Sequence, residues 1–158
     1  MPDIRHDRPG HEGFIPYLIV EGAAAAIDFD TAAFGAEEKM RLAMPNGQIG
    51  HAEMAVDGHP FYLADMSPEM DDGPTRSPDR TGSTSVILHR YVPDVDAAVA
   101  RAEEAGATVL RPPKNEFYGE RAATVQDPFG HQWSLHTRTS EVSMEEMVAA
   151  MQGDPAGE

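Results

Sequence analysis

The sequence predicts an α+β fold of two tandem βαβββ modules, which form an incomplete barrel around a cavity and are followed by a C-terminal helix. This prediction depends first on an internal repeat within the 158-residue chain. The segment from Gly58 to Leu63 is similar to the segment from Gly130 to Leu135, which begins 72 residues later. The strand and helix pattern that begins at Tyr17 recurs at the same offset, which indicates a duplicated module.

The first module is predicted over residues 14–66. An apolar run forms its first strand, apolar residues at helical spacing follow, and Gly35 ends the helix. Turn residues such as Asn46-Gly47 separate the three later segments, which have the character of strands. The predicted elements are a strand over 14–20, a helix over 23–34, and strands over 39–44, 49–56 and 60–64.

The second module is predicted over residues 83–138 and repeats this order. Its elements are a strand over 85–92, a helix over 94–105, and strands over 108–111, 121–126 and 132–137. Residues 67–82 are rich in Pro, Asp, Gly and Ser and are predicted to form a linker.

The two ends of the chain lie outside the repeat. Residues 1–13 are polar and are predicted to form a flexible tail. Residues 139–158 carry the C-terminal helix, for which Ser143 and Glu146 have the spacing of a capping box. The residues from Gly153 onward are predicted to be disordered.

Composition excludes several classes of protein. Twelve Lys and Arg against 27 Asp and Glu give a net charge of −15, which disfavours nucleic acids and anionic membranes as partners. The chain has no cysteine, so disulfides, thiolate metal sites and a cysteine nucleophile are excluded. Neither a secretory signal nor a membrane-spanning run is recognisable, so we expect a cytoplasmic protein.

Local motifs indicate a family. Paired βαβββ units of this kind resemble the vicinal oxygen chelate superfamily, which includes glyoxalase I, extradiol dioxygenases and bleomycin- and fosfomycin-resistance proteins. Four segments are similar to its PhnB-like branch: Ala33-Phe34-Gly35-Ala36, Gly50-His51-Ala52-Glu53, Phe117-Tyr118-Gly119-Glu120-Arg121 and Asp127-Pro128-Phe129-Gly130-His131-Gln132-Trp133. The resemblance implies a homodimer and a small-molecule ligand or substrate in a cavity between the modules. Whether one chain builds that cavity or two chains share it is left open.

The resemblance also implies where a metal would bind, and this sequence departs from the pattern. The matching positions carry Ile15, Tyr62, Ile87 and Ser134, none of which is a standard strong ligand. Residues two positions further along a strand point to the same face. Those residues include His89 and His136, which together with Glu53 suggest a displaced site for Zn, Fe, Mn or Ni.

The same residues are candidates for acid–base catalysis. His89 and His136 carry imidazoles, which titrate near neutral pH. We expect Glu53 to act as general base, with a pKa raised by burial in an apolar cavity. The candidate substrate-binding residues are Tyr17, Tyr62, His51 and Arg121. Asp30 does not fit this picture, because it interrupts the apolar stripe of the first helix and must be exposed, neutral or paired.

Three functions follow from these features. The first is a lyase, isomerase or dioxygenase-like enzyme that uses acid–base chemistry, with or without a metal. The second is a binding protein that sequesters a ligand without turnover, as bleomycin-resistance proteins do. The third is a regulatory role, for which the only feature is the amphipathic C-terminal helix. The sequence does not identify the substrate.

Overall fold

The computed structural model describes residues 4–153, which form two four-stranded sheets. The strand order is β1-β4-β3-β2 in the first sheet and β5-β8-β7-β6 in the second. Each sheet is therefore mixed and open, as the predicted pair of modules requires. The elements are β1 Tyr17–Val20, α1 Ala23–Phe34, β2 Glu37–Ala43, β3 Ile49–Val56, β4 His59–Asp65, α2 Pro78–Thr81, β5 Ile87–Tyr91, α3 Val95–Ala105, β6 Thr108–Asn115, β7 Glu120–Gln126, β8 Gln132–Arg138 and α4 Met144–Gly153.

The two modules share one pattern of strand pairing. In the first sheet, β1 runs parallel to β4 and Tyr17 lies opposite Tyr62. In the second sheet, β5 runs parallel to β8 and His89 lies opposite Ser134. Both residues of the second pair are displaced by the same 72 positions from the first. The offset of 72 residues found in the sequence therefore also relates the strand pairing of the first sheet to that of the second.

One hydrophobic core lies on the helix side of both sheets. Leu18 and Leu63 of the first sheet and Leu135 of the second belong to it and are almost fully buried. The ring of Phe34 on α1 lies 4.2 Å from that of Trp133 on β8, so the core joins the modules. Because side chains alternate along a strand, the residues between these core positions lie on the opposite side, called here the open face of each sheet.

Helix α1 is capped by a residue from another element. Gly22 precedes the helix and has no side chain to cap it. The carboxylate of Asp65 at the end of β4 accepts 2.8 Å hydrogen bonds from the N–H groups of Gly22 and Ala23. Its second oxygen accepts from the N–H of Ile49 at 2.7 Å. Asp65 therefore fixes α1 against β3 and β4.

Two segments differ most from the sequence-based expectation. Strand β6 continues through Pro112 and Pro113 to Asn115, whereas the prediction stopped at Arg111. Proline is tolerated there because β6 is an edge strand with one unpaired side. The linker is more ordered than predicted, since it contains α2 and a 3-10 turn at Pro68–Met70.

The chain ends agree in part with the prediction. The capping box of α4 forms, with the Glu146 N–H donating to Ser143 Oγ at 3.2 Å and the Ser143 N–H donating to Glu146 Oε2 at 2.7 Å. Gly153, predicted to be the first disordered residue, instead ends α4, and the residues after it fall outside the described part of the chain. Over residues 4–153, no helix has both the length and the apolar character needed to cross a bilayer.

Candidate functional site

The open faces carry two separate polar clusters, one on each sheet. The first cluster consists of Tyr17, His51, Glu53 and Tyr62, joined by Arg8 and His11 from the chain preceding β1. The second cluster consists of His89, Tyr91, Tyr118, Glu120, Ser134 and His136. Strand alternation places the strand residues of each cluster opposite the core residues of its own sheet.

A chain of hydrogen bonds runs through the first cluster. His51 Nε2 lies 3.2 Å from Glu53 Oε1, and a carboxylate only accepts hydrogen bonds, so Nε2 donates. His51 Nδ1 is then free to accept from the Tyr17 hydroxyl, which lies 2.6 Å away. Burial and the charge of Glu53 raise the pKa of Tyr17, which keeps its hydroxyl protonated as a donor.

Glu53 is an ion-pair partner, and its environment differs from the apolar cavity predicted from the sequence. Arg8 binds its carboxylate through both terminal nitrogens, at 3.0 Å and 2.6 Å. The hydrogen bonds from Arg8, assisted by that from His51, outweigh burial and lower the pKa of Glu53 to about 2. The prediction of a raised pKa was wrong because the sequence does not show that a residue 45 positions away reaches this carboxylate.

The second cluster has a different order of groups. His136 Nδ1 lies 2.6 Å from Glu120 Oε2, so this nitrogen donates to the carboxylate. His136 Nε2 lies 2.8 Å from the hydroxyl oxygen of Ser134. The Tyr91 hydroxyl donates to the other oxygen of Glu120 at 2.7 Å. The result is a continuous hydroxyl–imidazole–carboxylate chain in which His136 is largely buried.

His89 completes the second cluster without joining this chain. Its ring centroid lies 4.2 Å from that of His136. Burial, assisted by the charge of His136, lowers the pKa of His89, so its neutral form predominates at neutral pH. Burial alone would raise the pKa of Glu120, but the hydrogen bonds from Tyr91 and His136 bring it below the ordinary value. The second cluster therefore combines the neutral imidazole of His89 with the imidazole of His136, which is hydrogen-bonded to the carboxylate of Glu120.

The structure divides the residues predicted to act together. His89 and His136 are in contact, whereas Glu53 lies in the first cluster with Tyr17, Tyr62 and His51. Arg121 belongs to neither cluster, because it shares the helix-side face of β7 with buried Ala123 and Val125. There it binds Asp96 of α3 at 2.6 Å and 2.8 Å and Asn115 at 3.2 Å.

The displaced metal site is not assembled by these side chains. Over residues 4–153, no three His, Asp or Glu side chains are arranged to hold one metal ion. Glu53 is bound by Arg8, and both ring nitrogens of His136 already have partners in Glu120 and Ser134. The residues present therefore do not fit a metal centre of the predicted composition.

Sequence reasoning did not assign a role to Glu120 or Arg8. The position of Glu120 on the open face can be worked out from the turn at Asp127–Gly130. Gln126 pairs with Gln132, so the hairpin of β7 and β8 is symmetric about Phe129. Counting back from that turn places Glu120 opposite Arg138, diagonal to His136. Arg8 gave no such signal, since it lies in a segment without secondary structure.

Two cavities adjoin these groups. The larger, of about 660 Å³, lies between the modules and is lined by β1, the linker and the beginning of β5, including Tyr17 and His131. A second cavity of about 400 Å³ lies on the open face of the second sheet. Ser134, His136 and Tyr118 line it together with the cationic side chains of Arg111 and Lys114.

Comparison with known proteins gives one family match. Residues 11–135 match the Glyoxalase/Bleomycin resistance protein/Dioxygenase superfamily. The chain is 44% identical over 141 residues to uncharacterized protein Rv0887c of Mycobacterium tuberculosis, covering 88% of this chain and 83% of that protein.

Solved structures have the same fold at lower identity. The PhnB protein from Bacillus cereus is 17% identical with a TM-score of 0.62, covering 80% of this chain and 99% of that one. The fosfomycin resistance protein FosX from Listeria monocytogenes is 16% identical with a TM-score of 0.62, covering 85% and 96%.

Proposed function

Because the chain belongs to the glyoxalase/bleomycin resistance protein/dioxygenase superfamily, we propose that it is a small-molecule enzyme that transfers protons at the second cluster. The observation that carries this proposal is the Ser134–His136–Glu120 chain of hydrogen bonds, with distances of 2.8 Å and 2.6 Å, beside the neutral imidazole of His89. Such pairs of titratable groups in different environments are suited to act as acid and base.

His89 serves as the general base in this proposal. Its lowered pKa leaves a lone pair available at neutral pH to remove a proton from carbon next to a carbonyl group. His136 serves as the general acid, since its Nδ1 is held by the carboxylate of Glu120 at 2.6 Å and its Nε2 lies 2.8 Å from the Ser134 hydroxyl. Nε2 then delivers its proton through the Ser134 hydroxyl to the oxygen on which negative charge develops.

The cavity beside Ser134 favours an anionic substrate. Two cationic side chains, Arg111 and Lys114, and one carboxylate, Glu116, line it, and the two cations present donors suited to a carboxylate or phosphate. Tyr118 stacks at 6.3 Å from the ring of His136 and supplies an apolar surface. We therefore expect a small oxo or hydroxy acid, and we place the chain in the PhnB-like branch as a cytoplasmic homodimer.

The experiment that tests this function is deuterium exchange in D₂O, followed by proton NMR over a panel of small oxo and hydroxy acids. We expect one or more compounds to lose the signal of the C–H next to the carbonyl only when the protein is present. His89→Ala and His136→Ala should each slow this exchange by about 100-fold. His59→Ala, the same substitution at the exposed first residue of β4, should leave the exchange unchanged.

The pH profile provides a second readout. Exchange requires neutral His89, and the pKa of His89 is lowered from 6.5, so the rate should persist below pH 6.5 before it falls in acid. Exchange that is absent over the panel, or that survives both histidine substitutions, would contradict the proposal.

Binding without turnover is the second candidate function. Exposed Tyr17 and half-buried Tyr62, with rings 5.7 Å apart and edge to face, offer an aromatic surface on the first sheet that takes no part in the proton transfer proposed above. A ligand that binds in calorimetry, loses affinity on Tyr17→Ala and undergoes no exchange would favour this function.

A further inference from the structure

We infer that the first cluster is a binding site for small molecules that carry a guanidinium group, and that Arg8 of the chain itself occupies it. This inference goes beyond the proposed enzyme function and does not depend on it. The segment over residues 4–16, here called the N-terminal segment, brings Arg8 and His11 onto the open face of the first sheet.

The carboxylate of Glu53 forms the floor of this site. Its side chain is only 7% exposed, whereas that of Arg8 is 56% exposed. The arginine thus approaches from solvent and binds a carboxylate that the sheet itself positions, with both terminal nitrogens in contact. This two-nitrogen geometry is the one in which guanidinium and carboxylate match best.

Aromatic rings lie beside Glu53 on the open face, with His51 hydrogen-bonded to it and Tyr62 opposite it in the sheet. The ring of His51 lies 5.1 Å from that of Tyr62, and the ring of Tyr17 lies 5.7 Å from Tyr62. A planar cation is attracted to such faces and stacks on them more readily than an ammonium group does. His11 adds a further ring from the N-terminal segment, with Nδ1 2.6 Å from the Tyr62 hydroxyl.

The N-terminal segment is held mainly by these polar contacts. Of its three large apolar side chains, Ile4 and Phe14 are 82% and 106% exposed and do not anchor it, and only Ile15, next to β1, is half-buried. Residues 4–16 contain no helix or strand. If Arg8 leaves, a nearly buried carboxylate loses its cation, which is a costly state that another cation relieves.

The charge of the whole chain supports a cationic ligand. A net charge of −15 raises the local concentration of cations near the surface. A free guanidinium compound must nevertheless compete with Arg8, so its apparent affinity is the intrinsic affinity multiplied by the fraction of molecules in which Arg8 has left the site. Removing Arg8 should therefore reveal the site.

Calorimetric titration with ethylguanidinium tests the site directly, with ethylurea as the neutral probe of similar shape. We expect ethylguanidinium to bind the Arg8→Ala protein about tenfold more tightly than the wild type, because the competing group is absent. Ethylurea should bind neither. Arg5→Ala is the matched control, since Arg5 contacts Asp7 and Glu12 outside the cluster, and it should behave as the wild type does.

A second substitution identifies the acceptor. Glu53→Gln in the Arg8→Ala background keeps the size of the side chain, removes the charge and should abolish binding of ethylguanidinium. Equal affinity for wild type and Arg8→Ala, or binding that survives Glu53→Gln, would overturn the inference.

The unmodified chain gives an independent test if a variant folds poorly. Arginine Nε–Hε NMR signals should show one resonance, assigned to Arg8 through its loss in Arg8→Ala or Arg8→Lys, that moves toward the free-arginine position as ethylguanidinium is added. Ethylurea should leave it in place. A resonance that does not respond at saturating probe would contradict displacement. None of these measurements depends on the deuterium exchange at the second cluster, so either proposal can fail without the other.

Discussion

Glu53 and Glu120 show how partners decide the chemistry of a carboxylate. Both accept a hydrogen bond from a histidine on an open face, yet Glu53 is neutralised by Arg8 and Glu120 is not bound by an arginine. The sequence predicted that His51, Glu53, His89 and His136 lie on open faces, since this requires only strand alternation. It could not predict which of them meet, because that depends on contacts between distant segments.

The structure explains Asp30, the carboxylic acid that interrupts the apolar stripe of α1. It is 3% exposed on the core side of α1. Burial, assisted by the negative charge of Asp127, raises the pKa of Asp30 well above its ordinary value. Of the three options given by the sequence, exposure is therefore excluded and a neutral carboxyl group is favoured.

This raised pKa has a consequence for stability. The folded state binds the Asp30 proton more tightly than the unfolded chain does, so the free energy of unfolding falls as pH rises from about 4 toward the folded pKa. We expect Asp30→Asn to stabilise the protein by about 1–2 kcal/mol at pH 8 and by much less at pH 4. Urea denaturation at both pH values measures this difference.

Asp28→Asn provides the control for that experiment. Asp28 lies on the exposed side of the same helix, so its substitution changes the same charge without a buried group. Its effect should stay within about 0.5 kcal/mol at both pH values. A stabilisation by Asp30→Asn that is independent of pH would show that the carboxyl group is not the cause.

At the scale of elements, prediction succeeded where the pattern was local. Helix α1 and strand β3 have the predicted bounds, since apolar spacing, Gly35 and the Asn46-Gly47 turn define them. The end of β6 was missed because Pro112 and Pro113 indicate a break unless the strand is known to lie at an edge. Edge position is a property of the sheet and not of the segment.

Asp65 and Asp94 cap the two long helices in different ways. Asp94 precedes α3 and accepts a local hydrogen bond from the Ala97 N–H at 3.0 Å. Asp65 is 42 residues from Ala23 and accepts three N–H groups from two separate regions. Loss of the Asp94 carboxylate affects one end of α3, whereas loss of the Asp65 carboxylate leaves three backbone N–H groups without their acceptor.

We therefore expect substitution of the two caps to lower the free energy of unfolding by unequal amounts. Asp94→Ala should lower the free energy of unfolding by about 1 kcal/mol. Asp65→Ala should lower it by about 2–3 kcal/mol. Asp72→Ala, in the exposed linker, should change it by less than about 0.5 kcal/mol. Urea denaturation at pH 7 gives all three values, and equal effects of the two caps would refute this account of Asp65.

At the scale of the molecule, the open faces leave much apolar surface in contact with water. The chain exposes 10126 Å², whereas a compact monomer of this mass exposes about 7,700 Å². Tyr17, Leu42, Ile87 and Tyr91 lie on the open faces and are each about half exposed. A second copy of the chain would cover such a surface, and the surplus exceeds what a stable interface needs.

We expect the protein to elute as a homodimer with twice the chain mass of 17.1 kDa in light scattering coupled to size exclusion. The double substitution Leu42→Glu and Ile87→Glu should shift it to the monomer, because charges on the open faces oppose burial. Ile4→Glu, at an exposed position before the sheets, should leave the dimer intact. A monomeric wild type at micromolar concentration would contradict this expectation.

The matched strand registers also bear on how such a chain evolves. Because Tyr17–Tyr62 and His89–Ser134 occupy equivalent positions in two copies of one backbone, a change of side chain in one sheet does not require the matching change in the other. Three open-face positions correspond in the parallel strand pairs of the two sheets: Tyr17 with His89, Tyr62 with Ser134 and Ala64 with His136. The two modules thus offer the same backbone positions twice, and the side chains at those positions decide which chemistry each sheet is suited to.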